Sequence, residues 1–236
     1  MLKLIGFDGD DTLWHSEGYY QHANAGFAAI LENYVDLGDV HDTLLATERR
    51  NLTLFGYGAK GMTLSMVETA IAITDGRISA ADIHRLVEFG KSVLQHPVEL
   101  LPGIRAAVTA VAARHEVVLI TKGDLFHQEK KVAQSGLADL FGRIEIVSEK
   151  DATTYRRVLD EFGLQPAQFA MVGNSLRSDI EPVVRLGGWG VHLPYHVTWA
   201  HEQEHALGDD EQRVITVAAP SAIPAAVAQL RERAAA

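Results

Sequence analysis

Cysteine is absent from the 236 residues. This absence excludes a disulfide framework, a thiolate zinc site and a catalytic thiol, so any metal ion must be held by oxygen or histidine ligands. The sequence also lacks a run of 18 apolar residues, which argues against a membrane-spanning helix. Hydrophobic residues make up 47% and charged residues 22%. This composition is typical of a folded globular protein and excludes a disordered or collagen-like chain.

Basic residues are scarce relative to acidic ones. The chain has 21 Lys and Arg against 31 Asp and Glu, a formal net charge of −10. Such a charge repels nucleic acids and anionic membranes, so we expect neither as a partner, and an anionic substrate needs a local cation. No basic region followed by an apolar stretch precedes the first predicted strand at Lys3, so we expect no secretory signal and a cytoplasmic location. The sequence leaves the oligomeric state open.

Short apolar runs recur along the chain and predict β-strands. The first, residues 3–8, ends in a carboxylate, as a buried parallel strand does at its carboxyl end. The other runs are residues 117–121, 144–147, 169–173, 190–193 and 214–217. Helical patterns of about 10–15 residues separate most of them, and this alternation is typical of a parallel sheet with helices on both faces. We therefore predict an α/β fold with a doubly wound parallel sheet.

The interval between the first two predicted strands is far longer than a single crossover helix requires. Apolar residues recur in it at helical spacing. The helical segments lie near residues 16–35, 40–54, 61–74 and 79–95. We predict an inserted α-helical cap domain over residues 16–97, with a core domain formed by residues 1–15 and 98–236.

Three carboxylates lie within four positions at the end of the first predicted strand: Asp8, Asp10 and Asp11. Like charges this close raise one another's pKa unless a cation is present. The loop therefore favours either a divalent cation or a protonated carboxyl group. A solvated acidic turn is the structural alternative.

The pattern Asp8-x-Asp10-x-Thr12 after a strand resembles the first signature of the haloacid dehalogenase superfamily of phosphohydrolases. The other three signatures follow in order over residues 100–220. Thr121 ends the second predicted strand, and Lys150 stands before a predicted helix. Each match alone is common in unrelated proteins, but the ordered set indicates membership of the superfamily.

The fourth signature is Gly173-Asn174-Ser175, followed by Asp179. Here the sequence departs from the family, which has an aspartate where this chain has Asn174. The amide oxygen of Asn174 is able to bind a metal ion but adds no charge. Either Asp179 binds the ion directly, or the site is less anionic than is usual in the family.

The resemblance implies a mechanism. Asp8 is the nucleophile that forms an aspartyl-phosphate, and Asp10 is the general acid and later the base that activates water. These roles require a raised pKa at Asp10 while cations keep the pKa of Asp8 low. Thr121 and Lys150 complete the catalytic set. Phosphate or substrate contacts are expected from Thr12, Thr121, Lys122 and Lys150, although Lys122 is equally compatible with a solvated loop lysine.

The cofactor implied is Mg²⁺, held by the carboxylate of Asp8, the main-chain carbonyl of Asp10, and Asn174 or Asp179. In this family the first strand lies between the second and the fourth, so the signatures meet at a topological switch point. Asp11 replaces a common glycine. It either caps the following helix or restores part of the charge that Asn174 lacks.

The predicted function is Mg²⁺-dependent hydrolysis of a small phosphorylated metabolite. A 2-haloacid dehalogenase is the nearest alternative, and Asp10 argues against it because dehalogenases of this superfamily lack the second aspartate. A phosphomutase also fits. A catalytically silent binding module is disfavoured by the retained signatures, although Asn174 keeps it open. The substrate is not readable from the sequence, since specificity in this family comes from the cap.

Overall fold

The structure is a computed structural model that describes residues 1–196 and 211–235. The chain divides into two compact units. The sheet unit comprises Met1–Glu17, Val98–Lys122 and Gln128–Ala236, and the helical unit comprises Gly18–Pro97 and Gly123–His127. Among the described residues, none of the helices combines the length and apolar character needed to cross a membrane.

The sheet unit is built on one parallel sheet of six strands in its described part. The strands are β1 (Leu4–Phe7), β2 (Glu116–Lys122), β3 (Arg143–Val147), β4 (Phe169–Gly173), β5 (Trp189–His192) and β6 (Val214–Thr216). Their order is β3-β2-β1-β4-β5-β6, and each neighbouring pair is parallel. The prediction of a doubly wound parallel sheet is confirmed, and β1 lies between β2 and β4 as the resemblance implied.

In the described part of the chain, helices lie between most pairs of successive strands and after β6. They are α1 (Glu17–Leu31), α2 (Val40–Phe55), α3 (Ala59–Ile73), α4 (Ala80–Gln95), α5 (Ile104–Ala112), α6 (Leu125–Ser135), α7 (Ala152–Glu161), α8 (Glu181–Arg185) and α9 (Ile223–Arg233). Most of the helical unit is formed by α1 to α4, at the positions of the four predicted segments. The first segment was predicted to extend to residue 35, but α1 ends at Leu31, where Tyr34 N–H closes a turn onto the Leu31 carbonyl at 2.8 Å.

Side chains of β1 alternate between two cores because successive residues of a strand point to opposite faces. Ile5 and Phe7 pack in the cluster that includes residues of α5 and α9. Leu4 packs in the other cluster, with Tyr155 and Val158 of α7. Helices therefore cover both faces of the sheet. The polar residues that follow β1, β2 and β4 are thereby delivered to one edge, the carboxyl edge, between two apolar layers.

Candidate active site

Residues 8–13, called the catalytic loop for the roles that the sequence predicts for Asp8 and Asp10, begin where β1 leaves the sheet. The main-chain N–H of Asp8 still donates to the carbonyl of Val172 on β4, at 2.9 Å, so the position of Asp8 is fixed by the sheet itself. Its side chain is buried. Lys150 is buried as well and stands just before α7, whose first turn is capped by Asp151 through a hydrogen bond from Thr154 N–H at 2.8 Å.

Lys150 lies between two buried carboxylates. Its ammonium group donates to Asp8 Oδ1 and, at 2.7 Å, to Asp179 Oδ1. Burial and the charge of Asp179 raise the pKa of Asp8, and Lys150 opposes this shift only in part. Burial alone would lower the pKa of Lys150, but the two carboxylates raise it instead. With two anions and one cation, the cluster favours a further positive charge.

Asp179 is held on its other side by the main chain. Its Oδ2 accepts a hydrogen bond from Ser175 N–H at 3.0 Å. A Cβ atom at Gly173 would collide with this carboxylate, so the close approach requires glycine. The π-helical turn Leu176–Ile180 that carries Asp179 is fastened by Tyr155, whose hydroxyl donates to the Ser178 carbonyl at 2.9 Å. Both oxygens of Asp179 therefore have partners within the protein.

Asn174 faces a cluster of oxygen atoms. In one orientation its amide oxygen accepts from Thr12 Oγ1 at 3.1 Å. In the other, the amide nitrogen donates at 3.1 Å to Thr12 Oγ1, to Asp8 Oδ2 and to the main-chain oxygen of Asp10. A carboxylate, a main-chain carbonyl and an amide oxygen are ligand types that Mg²⁺ accepts.

The donor set thus fits Mg²⁺, with a single formal negative charge from Asp8. In the described part of the chain no group of three or more His, Cys, Asp or Glu side chains is arranged to hold a metal ion, so a metal site here depends on neutral oxygens. Of the two candidates for the fourth signature, Asn174 lies with Asp8 and the Asp10 carbonyl. Asp179 is engaged by Lys150 and Ser175 instead.

The side chain of Asp10 has a separate set of partners. Its Oδ1 accepts from Lys131 Nζ at 2.7 Å and from Trp14 Nε1 at 2.6 Å, and its Oδ2 accepts from Gln128 Nε2 at 2.9 Å. Burial alone would raise the pKa of Asp10, but Lys131, with help from Gln128 and Trp14, lowers it.

Without a bound metal ion, the pKa directions at the two aspartates are opposite to those expected for the cation-bound site. We expected a raised pKa at Asp10 and a low one at Asp8, and the structure shows the reverse. The physical reason is the distribution of cations. Lys131 forms an ion pair with Asp10, whereas Lys150 is shared by Asp8 and Asp179.

Thr121, the residue before the last of β2, has an unsatisfied hydroxyl. The residue is 1% exposed, and its Oγ1 has no hydrogen-bond partner among the described residues. It lies against Gly9, where a Cβ atom would come within 3.0 Å of Thr121 Oγ1 and 2.8 Å of the Trp14 ring. A buried hydroxyl without a partner is costly unless a ligand completes its hydrogen bonds. Thr121 is thus suited to a phosphoryl oxygen.

The ammonium group of Lys122 contacts side chains of the protein itself. Its Nζ donates to Ser178 Oγ at 2.8 Å and lies 3.6 Å from Glu149 Oε1. The predicted contact of Lys122 with substrate stays a prediction. The structure gives its ammonium group a partner on the turn that carries Asp179.

Asp11 accepts hydrogen bonds from the main chain of the segment that leads into α1. It has a left-handed backbone, with φ of 60°. Its Oδ1 accepts from Ser16 N–H at 2.8 Å and from Glu17 N–H at 3.1 Å. Burial and the charge of Asp10 raise its pKa to about 7. Of the two interpretations of Asp11, the contacts favour helix capping over a share in the metal site.

The sequence analysis did not predict two residues that contact Asp10. Gln128 and Lys131 are three positions apart on α6 and therefore share one face of the helix. The run Gln128-Glu129-Lys130-Lys131 has the composition of a solvated helix surface. The only signal was this spacing, which is too common to identify a site.

Buried carboxylates thus lie at the carboxyl edge of a doubly wound α/β sheet, with β1 between β2 and β4. Residues 2–187 match the family of haloacid dehalogenase-like hydrolases. The chain belongs to this family.

Solved structures agree with this assignment. A haloacid dehalogenase-like family hydrolase from Xanthomonas campestris is 57% identical, with a TM-score of 0.89, and the match covers 99% of this chain and 94% of that chain. A predicted phosphoglycolate phosphatase from Haemophilus somnus is 18% identical, with a TM-score of 0.59 over 94% of this chain and 96% of that chain. A 2-haloacid dehalogenase from Pseudomonas syringae is 20% identical, with a TM-score of 0.62 over 97% of this chain and 99% of that chain. The last two share the fold. A search of curated proteins gave no match.

Proposed function

We propose that the chain is a Mg²⁺-dependent hydrolase of small-molecule phosphomonoesters that acts through an aspartyl-phosphate on Asp8. The observation that carries the proposal is the surroundings of Asp8. One carboxylate oxygen contacts Lys150, and the other faces Thr12 and Asn174. The buried hydroxyl of Thr121 has no hydrogen-bond partner among the described residues and is able to donate to a phosphoryl oxygen.

In the first step a carboxylate oxygen of Asp8 attacks phosphorus, and the bond from phosphorus to the ester oxygen breaks. Lys150 and Thr121 hold the phosphoryl oxygens, since phosphoryl transfer depends mainly on positioning and charge neutralisation. In the second step water attacks phosphorus, Asp8 is released, and Asp10 accepts the proton of the water. Bound Mg²⁺ supplies charge neutralisation at Asp8 and at the phosphoryl oxygens.

The low pKa of Asp10 has a consequence for the first step. A carboxylate already ionised at rest is well suited to act as the base in the second step but carries no proton for the leaving group. We therefore expect esters with good leaving groups, such as aryl phosphates, to be hydrolysed faster than alkyl phosphates.

The wider setting is part of the same proposal. The substrate is a phosphorylated metabolite in the cytoplasm, and neither a nucleic acid nor a membrane takes part. Residues 1–15 and 98–236 form the catalytic core, and residues 16–97 form a cap that selects the substrate.

A second candidate is a 2-haloacid dehalogenase; the presence of Asp10 argues against it, but the ion pair of Asp10 with Lys131 does not exclude it. In that reaction Asp8 would displace halide from carbon 2 of the acid, and water would hydrolyse the resulting ester. Halide leaves with its electron pair and needs no proton, so an Asp10 held as carboxylate by Lys131 is compatible with it.

The test is turnover of para-nitrophenyl phosphate and of 2-chloropropionate by the purified protein, with Mg²⁺ and with chelator. The variants are Asp8→Asn and, as a matched control, Asp139→Asn at an exposed position. Phosphate release that needs Mg²⁺ and Asp8 supports the phosphatase. Chloride release that needs Asp8 but not Mg²⁺ supports the dehalogenase, and silence toward both substrates favours the binding module.

A further inference from the structure

Lys131 is a buried lysine on α6. Its side chain is 10% exposed, and its ammonium group lies 2.7 Å from Asp10 Oδ1. The same group donates to Ser16 Oγ at 3.3 Å. Burying an ammonium group is costly, and an apolar pair of similar volume is often at least as stable as a buried ion pair. Stability alone therefore gives no reason for a lysine at this position.

The carboxylate of Asp10 is fixed by three donors. Lys131 and Trp14 donate to Oδ1, and Gln128 donates to Oδ2. Gln128 is itself anchored, because its Nε2 also donates to the main-chain oxygen of Lys122 at the end of β2. The carboxylate is thus held between α6 and the catalytic loop, with donors on both oxygens.

The two aspartates of the catalytic loop have different lysines. Asp8 is paired with Lys150, and Asp10 is paired with Lys131. Although the two residues are only two positions apart, their separate lysines hold the two carboxylates in different places. This arrangement leaves the main-chain carbonyl of Asp10, and not its carboxylate, beside Asp8 and Asn174.

We propose that Lys131 is a positioning residue that holds the carboxylate of Asp10 in place for proton transfer at the active site. Gln128 and Trp14 complete the support. This inference rests on the proposed function of Asp10. It adds to it a residue outside the four signatures, contributed by a helix whose sequence resembles a solvated surface.

The test begins with steady-state kinetics on para-nitrophenyl phosphate. We expect Lys131→Met to lower kcat by about 100-fold, the lower end of the contribution of a general acid–base group, with KM changed by less than about threefold. Lys131→Arg should recover part of kcat, since it restores a cation. Lys130→Met, on the neighbouring residue of α6, is the matched control and should behave like the wild type.

A double-mutant cycle with Asp10→Asn distinguishes an effect of Lys131 that acts through Asp10 from a general loss of structure. If Lys131 acts through Asp10, Lys131→Met should cause little further loss of kcat in the Asp10→Asn background. An equal loss in both backgrounds would overturn the proposal, as would a kcat of Lys131→Met within about threefold of the wild type. If Lys131→Met does not fold, Lys131→Gln replaces it in the same comparisons.

A second readout does not depend on activity. The indole N–H of Trp14 donates to Asp10 Oδ1, so its signal in a ¹H–¹⁵N NMR spectrum reports the place of that carboxylate. The signal is assigned with Trp14→Phe. We expect it to move in Lys131→Met and to remain near its wild-type position in Lys131→Arg and Lys130→Met. If the Trp14 signal does not move in Lys131→Met, Lys131 does not position the Asp10 carboxylate. If the wild-type protein hydrolyses no phosphate ester, the proposed function is contradicted, and the NMR signal alone then tests whether Lys131 positions Asp10.

Discussion

The ammonium group of Lys150 lies 2.7 Å from a carboxylate oxygen of Asp179, which is completely buried, and also contacts Asp8. Lys150→Met would leave two buried carboxylates without their cation. Removing one partner of a buried ion pair costs about 3–5 kcal/mol of unfolding free energy. We expect a loss of this size at pH 8, together with loss of turnover, measured by urea denaturation and phosphate release.

The loss of unfolding free energy in Lys150→Met should increase as the pH rises. Burial raises the pKa of Asp8 in the folded protein, and loss of Lys150 removes the cation that opposes this shift, so the folded state is favoured when Asp8 is protonated. The destabilisation should therefore be smaller at pH 5 than at pH 8. Lys91→Met, which removes an exposed cation paired with Glu88, is the control and should cost less than about 1 kcal/mol at either pH. A pH-independent loss in Lys150→Met would contradict the charge argument.

Thr121→Val tests the unsatisfied hydroxyl. The substitution keeps the shape of the side chain and removes a buried polar group that has no partner among the described residues. Unfolding free energy should stay unchanged or rise by about 1 kcal/mol, whereas KM for para-nitrophenyl phosphate should rise about tenfold.

The matched control is Thr74→Val. Thr74 is equally buried, but its hydroxyl donates to the Ala70 carbonyl at 2.8 Å and accepts from Ile78 N–H at 3.1 Å. That variant should lose about 1–3 kcal/mol of unfolding free energy. If Thr121→Val loses as much as Thr74→Val, the Thr121 hydroxyl serves the fold rather than a ligand.

Asn174→Asp tests the reduced charge of the oxygen cluster. The new carboxylate would face Asp8 Oδ2, Thr12 Oγ1 and the Asp10 carbonyl in place of a neutral amide. In chelator the variant should melt at a lower temperature than the wild type, with a cost on the order of 2 kcal/mol.

With added Mg²⁺, Asn174→Asp should melt at a higher temperature than the wild type. A second charged ligand should raise the affinity for Mg²⁺ about tenfold or more, measured by calorimetry, because affinity in oxygen sites follows ligand charge. Equal affinities in the two proteins would show that the ion does not contact residue 174.

The first strand and the four signatures were predictable because each depends on local sequence. An apolar strand that ends in Asp8 has a chemical meaning without any tertiary information, and so has Thr121 at the end of the second strand. Lys131 was not predictable, since its partner Asp10 is 121 positions away. The pKa directions at Asp8 and Asp10 in the protein without a bound metal ion were not predictable for the same reason. They depend on how two lysines are shared among three carboxylates, which only the folded chain determines.

The role of Asp11 was likewise undecided in the sequence. Both interpretations used the same carboxylate, and the choice between them depends on which groups this carboxylate contacts in the folded chain. With φ at 60°, the Asp11 side chain is directed to the amides of Ser16 and Glu17. Left-handed backbone at a non-glycine residue is a tertiary outcome that residue types alone do not indicate.

Glu48 on α2 of the helical unit provides a pH-dependent test of stability. Burial raises its pKa to about 7, and the carboxyl group has neither a hydrogen bond nor an ion pair among the described residues. The folded state therefore binds this proton more tightly than the unfolded chain, in which the pKa is about 4.3. Stability from this group is complete below about pH 4 and is lost as the pH rises to about 7.

Glu48→Gln removes the group that must ionise while buried. At pH 8 it should raise the unfolding free energy by about 1–2 kcal/mol, less than the full shift would give because the side chain is partly exposed, and at pH 4 it should change little. Circular dichroism at both pH values during urea denaturation measures the difference. The exposed Glu32→Gln is the control and should stay within about 0.5 kcal/mol of the wild type. A gain for Glu48→Gln that is the same at pH 4 and pH 8 would mean that packing, rather than ionisation of the buried carboxyl, sets the effect.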